Sequence, residues 1–270
     1  VAQFLEAQNG WWVCNIDDPY LRKIVRDRKG KMVTYAERRS EADLNARNLR
    51  LCSDRIEFEA LTNEAICRVR LPIPGGFGLY NAMAALACGL RAGLTLEQMA
   101  QILPNTRGVR GRMELLPLNA PFDVLIDSAA TPEQIDNLLM AARGLAKGRL
   151  LLVLGAPGDR DRSRRPQLGE AASRADVVIL TADDPRSEPV EEICGQIRAG
   201  VEGKHPEIVP DRRAAIGRAL DLAQPGDLVL LSGRGDKTQM LTRDGVTELD
   251  ERAVVLEHLR RNNNRKRKDA

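Results

Sequence analysis

Aromatic side chains are scarce: two Trp, three Tyr and four Phe make up 3% of 270 residues. A chain this poor in rings has little with which to build the stacking platforms that single-stranded nucleic acids need. An excess of one charge is also missing. Lys and Arg number 41 against 38 Asp and Glu, a formal net charge of +3, which gives no footing for a nucleic-acid partner. The one basic run, Arg260 to Lys268 with Asn262-Asn263-Asn264 inside it, reads as a disordered, solvated tail over residues 263–270. Five cysteines (Cys14, Cys52, Cys67, Cys88 and Cys194) show no CxxC or metal-ligand spacing. They read as reduced thiols of a cytoplasmic protein, with no metal site. No apolar run approaches a membrane span and no signal peptide is visible, so no membrane partner is expected. GxxxxGK[ST], the loop that cradles nucleotide phosphates, does not occur.

What the sequence does have is a strand–turn–helix pattern of unusual composition. The apolar run Leu150 to Leu154 leads into Gly155-Ala156-Pro157-Gly158-Asp159-Arg160-Asp161-Arg162-Ser163-Arg164-Arg165-Pro166. Such turns sit at the carboxyl end of a parallel sheet, where α/β folds bind ligands. Guanidinium forks in that position suit carboxylates and phosphates. Three more turns of the same kind follow apolar strands: Asp127-Ser128-Ala129-Ala130-Thr131-Pro132, Asp183-Asp184-Pro185-Arg186 and Gly233-Arg234-Gly235-Asp236-Lys237-Thr238. Each alone is ordinary turn chemistry, since Asp and Thr-Pro start helices and Gly permits positive φ. Four on one sheet edge point to a ligand site.

The wider pattern supports that placement. Strands fit 113–117, 122–127, 150–155, 177–182, 207–210 and 227–232, and helices fit 132–146, 166–174, 189–202, 211–223 and 250–260. This alternation predicts a mostly parallel sheet with helices on both faces. Upstream, 11–16 reads as a buried strand, 21–28 as a helix, and 45–72 as a β-meander with strands at 48–52, 55–60 and 65–71 and a turn at Ser53-Asp54. The break Leu71-Pro72-Ile73-Pro74-Gly75-Gly76 ends the meander. A small-residue helix spans 80–90 and another starts at Thr95. The predicted division is 1–105, a partial first domain, 106–262, a complete second domain, and the tail 263–270. Val1 is not Met, and Val1 to Phe4 reads as the end of a helix already under way, so the expectation is a chain that begins inside a longer protein.

Several stretches, in order and at consistent spacing, resemble the Mur ligases. They are Asn15-Ile16-Asp17-Asp18-Pro19-Tyr20, Tyr80-Asn81-Ala82, Gly108-Val109-Arg110-Gly111-Arg112-Met113-Glu114, Gly158-Asp159-Arg160-Asp161 with Arg165-Pro166, Asp183-Asp184-Pro185-Arg186 and Gly233-Arg234-Gly235. The resemblance covers residues 11 to 258 and is strongest to the members that add the third peptide residue. It implies a Rossmann-like C-terminal domain (106–262), preceded by the C-terminal remnant of a central ATPase domain (1–105) that lacks the phosphate loop. It also implies an ATP- and Mg-dependent acid–amino acid ligase of peptidoglycan-precursor synthesis for the bacterial cell wall and cell division. In that chemistry a carboxylate is activated as an acyl phosphate and then attacked by an amino-acid amine. The implied partners are a UDP-linked muramoyl peptide and an amino acid. By the same resemblance Asn81, Arg112 and Asp127 contact the nucleotide, and Arg160, Asp184, Arg186, Gly233 and Lys237 the incoming amino acid. No catalytic residue or metal ligand is assigned. The family's modified, Mg-holding lysine would lie upstream of Val1, so residues 1–270 alone are expected to be inactive.

The departures from the family pattern matter too. Where the family has Asp-Tyr-Ala-His, this chain has Asp127-Ser128-Ala129-Ala130. Where it has Gly-Lys-Gly-His-Glu, this chain has Gly233-Arg234-Gly235-Asp236-Lys237. Where it has Asp-Asn-Pro-Arg, this chain has Asp183-Asp184-Pro185-Arg186. With Lys237 in place of the family's Glu, and Arg234 beside it, the far end of the substrate is expected to be neutral or acidic. The lost Tyr, His and Glu also motivate an alternative, a catalytically degenerate relative that serves as a binding or scaffold subunit.

Overall fold

Leu150, Leu152 and Leu154 face one side of their strand, Leu151 and Val153 the other, and both sides are covered by apolar side chains. That is why the run reads as continuous rather than alternating: a parallel strand is buried on both faces. The computed structural model, which describes residues 10–26, 31–52, 55–73 and 75–268, divides the chain into two units, Val1–Arg107 and Gly108–Ala270. Val1 to Phe4, the last two residues of the helix expected at 21–28, Ser53-Asp54, Pro74 and residues 269–270 lie outside the described residues.

In the second unit the strands are β6 (Glu114–Leu115), β7 (Asp123–Asp127), β8 (Leu150–Leu154), β9 (Val177–Leu180), β10 (Glu207–Ile208) and β11 (Leu228–Ser232). They lie in the order β10-β9-β8-β11-β7-β6. All neighbours are parallel except β6, which runs antiparallel to β7. Helices α4 (Pro132–Arg143), α5 (Arg165–Ala172) and α6 (Val190–Arg198) cover one face with Ile135, Leu138, Leu168, Ala172, Ile193 and Ile197. Helices α7 (Arg212–Leu222) and α8 (Glu251–Lys268) cover the other with Ala215, Ile216, Ala219, Val254 and Val255. The helix starts follow local chemistry. Thr131 caps α4 in a reciprocal box with Gln134, with Pro132 in the first turn, and the Asp211 carboxylate accepts the Ala214 N–H at the start of α7.

The expected α/β class with a mostly parallel sheet is what the unit shows. The edges differ in detail. Strand β6 is two residues rather than 113–117: Met113 sits at φ 43°, outside strand geometry, and Pro117 has no N–H for a ladder. Strand β9 stops at Leu180, although the Thr181 N–H still donates to the Leu154 carbonyl at 2.9 Å. A hairpin, β12 (Gln239–Thr242) with β13 (Gly245–Glu248), was not anticipated, although Asp244-Gly245 is a hairpin signal. Residues 263–268, part of the expected tail, continue the backbone of α8 to Lys268. Lys and Arg are good helix formers and cations suit a helix C-terminus, so the Asn triplet does not stop it.

In the first unit β1 (Trp12–Asn15), β2 (Met32–Ala36), β3 (Leu44–Leu51), β4 (Ile56–Leu61) and β5 (Ile66–Leu71) form one sheet in chain order. The first three strands are parallel and the last three antiparallel. Helix α1 (Pro19–Arg26) follows β1. Strand β2 was not read from the sequence, and β3 starts four residues earlier than expected. Its register shifts between Arg47 and Arg50, where Asn48 adopts φ 55°, a bulge that blurs the period-two pattern. Helices α2 (Phe77–Arg91) and α3 (Leu96–Ile102) pack Leu79, Met83, Leu86 and Met99 onto Leu44, Ile56, Phe58 and Val69.

Candidate functional site

The register places the four chemistry-bearing turns on one edge of the second unit's sheet. Asp127 pairs with Ser232, Leu231 with Val153, and Leu154 with Leu180, so β7, β8, β9 and β11 all end there. Close backbone approach knits the turns together. The Gly158 N–H donates to the Asp184 carbonyl at 3.0 Å, and the Gly233 N–H to the Asp127 carbonyl at 3.1 Å. At Gly158 a side chain would collide with the Pro185 carbonyl, and at Gly233 (φ 103°) with the Asp183 carboxylate. Both positions therefore require glycine.

Three non-glycine residues in these turns hold positive φ: Asp159 (53°), Asp184 (48°) and Arg186 (54°). Side-chain bonds hold Asp159 and Asp184 in these conformations, and a backbone bond holds Arg186, as strained turns at functional edges need. The Ser187 Oγ donates to Asp159 Oδ1 at 2.6 Å, and the Asp159 N–H to Glu188 Oε1 at 2.6 Å. The Arg186 N–H donates to the Leu241 carbonyl at 3.0 Å, which ties the turn to β12. The Asp159–Ser187 contact joins the two turns that carry Arg160 and Arg186. Arg160 is exposed and Arg186 half-buried. Neither guanidinium has a partner among the described residues, and the Arg186 Nε is buried and unbonded.

Behind this surface lie three arginines with 1% exposure or less. Arg165 donates from both terminal nitrogens to Glu188, each at 2.9 Å. Those bonds, with Arg162 at 3.1 Å, hold the Glu188 carboxyl at about 2. Arg212 donates to the carbonyls of Ala182 (3.0 Å) and Ser232 (2.7 Å) and to Glu251 (2.7 Å). Arg234 reaches Asp183 at 3.3 Å, Asp184 at 3.0 Å and the Gln239 carbonyl at 2.5 Å. Sequence reasoning placed Arg234 at the substrate's far end. The structure instead makes it an internal strut, because two buried carboxylates draw its guanidinium inward. Buried arginines are rare, and only their eventual partners, Asp183, Asp184, Glu188 and Glu251, could have signalled them.

Asp184, Arg186, Gly233 and Lys237, all expected to bind an amino acid, come together. Lys237 is half exposed, yet its Nζ sits 3.0 Å from Asp184 Oδ2, so it is neither free in solvent nor an unpaired cation. Burial pushes the Asp184 carboxyl up, but hydrogen bonds from the Leu241 N–H, Lys237 and Arg234 outweigh it and hold the carboxyl below its ordinary value. Of the nucleotide candidates, Asp127 accepts the Ala129 N–H (2.7 Å) and the Met113 N–H (2.8 Å), and Arg112, the residue before Met113, is exposed. Asn81 is exposed on α2 of the first unit. There the Tyr80 hydroxyl lies 3.1 Å from both Asp17 and Glu37, joining two of the sequence stretches singled out above. Among the described residues no group of three or more His, Cys, Asp or Glu could hold a metal ion, so Mg coordination is not assigned to them. None of the described helices is long and apolar enough to cross a membrane.

Comparison with known proteins gives the same family twice. The family model for the Mur ligase middle domain matches residues 2–89, and that for the Mur ligase glutamate ligase domain matches residues 111–235. The UDP-N-acetylmuramoyl-L-alanyl-D-glutamate–2,6-diaminopimelate ligase of Clostridium botulinum is 35% identical over 257 residues, covering 94% of this chain and 53% of that protein. The enzyme of the same name from Geobacillus kaustophilus is 38% identical over 247 residues, covering 90% and 50%. A solved structure of a ligase of that name superimposes with TM-score 0.67 at 27% identity, covering 94% of this chain and 53% of the other. MurF from Acinetobacter baumannii shares the fold at TM-score 0.68 and 16% identity, covering 93% and 52%. The chain spans about half the length of the curated relatives it matches. With both family models matching in order and the same fold in the solved relatives, the chain belongs to the Mur ligase family.

Proposed function

We propose that the protein works as an ATP-dependent ligase that joins an amino acid to a UDP-linked muramoyl peptide in peptidoglycan-precursor synthesis. ATP supplies the phosphoryl group that activates the acceptor carboxylate. The amino-acid amine then attacks the acyl carbon and loses a proton, and phosphate leaves. The second unit's part is to hold the amino acid. Arg160 and Arg186 present two guanidinium groups without internal partners, and a carboxylate satisfies such forks in two-point fashion. Asp184, Gly233 and Lys237 shape the space beside them. In the second unit Arg112 and Asp127 serve the nucleotide, with Arg112 the cation available to its phosphates.

The observation that carries the reading is the contrast between Arg160 and Arg186, without ion-pair partners, and the buried Arg165, Arg212 and Arg234, each paired with a carboxylate of the fold. Steady-state kinetics on the full-length protein test it. Arg186→Ala should raise KM for the amino acid about tenfold to a hundredfold, the worth of a charge-assisted bond, and leave KM for ATP little changed. Equal losses for both substrates would count against this assignment.

A further inference from the structure

We propose that the Asp184–Lys237 ion pair makes this site select amino acids that carry no second ammonium group. The inference rests on the amino-acid site just described. It starts from where the carboxylates of this edge are spent. Asp184 Oδ1 accepts from the buried Arg234 at 3.0 Å and from the Leu241 N–H at 3.1 Å. Asp184 Oδ2 accepts from Lys237 at 3.0 Å. Asp183 is bonded to Arg234, Glu188 to Arg165 and Arg162, and Asp159 to the Ser187 hydroxyl and N–H. The turns that carry Arg160 and Arg186 thus offer a ligand two unpaired cations, while their own carboxylates are engaged within the fold.

Lys237 supplies Asp184 with what a diamino acid would bring: a compact ammonium with three donors on a flexible stem. Its side chain is 52% exposed, against 10% for Asp184. The lysine therefore covers from the solvent side a carboxylate that is otherwise fixed from within. A second ligand ammonium meets a like charge there and finds the acceptor taken. A neutral or acidic side chain meets neither obstacle. Asp236, in the same turn, is exposed and is the competing candidate for an ammonium.

Calorimetry on the full-length protein, with a non-hydrolysable ATP analogue and the UDP-linked acceptor present, decides between them. The ligands are pairs that differ by the loss of one ammonium group: lysine against norleucine, and 2,6-diaminopimelate against 2-aminopimelate. The wild type should bind each monoamine at least as tightly as its diamino partner. Lys237→Met uncovers Asp184 Oδ2 and should shift the ratio about tenfold or more toward the diamino acid. Lys237→Arg should keep the wild-type order, as should Asp236→Asn, and adding Asp184→Asn to Lys237→Met should abolish the gain. Circular dichroism confirms that each variant is folded. Tighter diamino binding by the wild type, or an unchanged ratio in Lys237→Met, overturns the proposal. If no amino acid binds any of these proteins, the amino-acid site itself is wrong and the inference falls with it.

Discussion

The guanidinium of Arg212 and the carboxylate of Glu251 meet at 2.7 Å with neither side chain reaching solvent. The pair joins the first turns of α7 and α8, and Arg212 extends it to the carbonyls that immediately precede Asp183 and Gly233. Removing one partner of a buried pair strands the other, at a cost of about 3–5 kcal/mol. Glu251→Gln and Arg212→Met should each destabilise the protein on that scale in urea unfolding. The double change Arg212→Met/Glu251→Leu should cost less than the sum of the single changes. Strict additivity would show that the two residues do not act as a pair.

Gly158→Ala forces a methyl group against the Pro185 carbonyl, a backbone atom that moves only if the two turns separate. The expected result is a loss of about 1–3 kcal/mol in stability together with weaker amino-acid binding, measured by thermal unfolding with and without ligand. A variant with unchanged stability would show that the turns are not held as described.

Acid should loosen the second unit through Glu188. Hydrogen bonds from Arg165 hold its carboxyl at about 2, against an ordinary value of 4.5. A carboxyl depressed by folding contributes stability that is fully present above its unfolded value and is lost as pH falls through its folded value. The melting temperature should therefore decline between about pH 4.5 and about pH 2. Glu188→Gln should lower it at neutral pH and flatten that decline. A wild-type profile that stays flat across this window would contradict the assignment.

Residues 1–270 alone should bind ATP weakly, because the sequence has no GxxxxGK[ST] loop to turn backbone N–H groups toward the β- and γ-phosphates. Submillimolar, Mg-dependent binding in calorimetry would show phosphate donors that this account lacks.

Much of the second unit was legible in the sequence, because a doubly covered parallel strand such as Leu150–Leu154 leaves an unmistakable apolar run and the turns after such strands share one edge. The positions of Arg160, Asp184, Arg186, Gly233 and Lys237 could be nominated from motif alone. Their partners could not. Whether Lys237 faces solvent, substrate or Asp184 depends on a contact across 53 positions in the chain, and no local pattern encodes it. Burial of Arg165, Arg212 and Arg234 was hidden for the same reason, since composition favours exposure for arginine and only distant carboxylates reverse it. Strand β2 escaped because five residues at Met32–Ala36, flanked by polar segments, carry too little periodicity. The hairpin β12–β13 escaped because its residues are mostly exposed, so burial leaves no alternation to read.

The central claim is that this chain serves an amide-forming ligase that grips its amino acid through Arg160 and Arg186. Its most direct test is phosphate release by the full-length protein with ATP, Mg and UDP-N-acetylmuramoyl-L-alanyl-D-glutamate, with and without candidate amino acids. The account predicts release that requires an amino acid, yields the amide, and falls about tenfold to a hundredfold in kcat/KM for that amino acid in Arg186→Ala. No amide with any neutral, acidic or basic amino acid would contradict it, and would favour a non-catalytic binding subunit that keeps the Mur ligase fold.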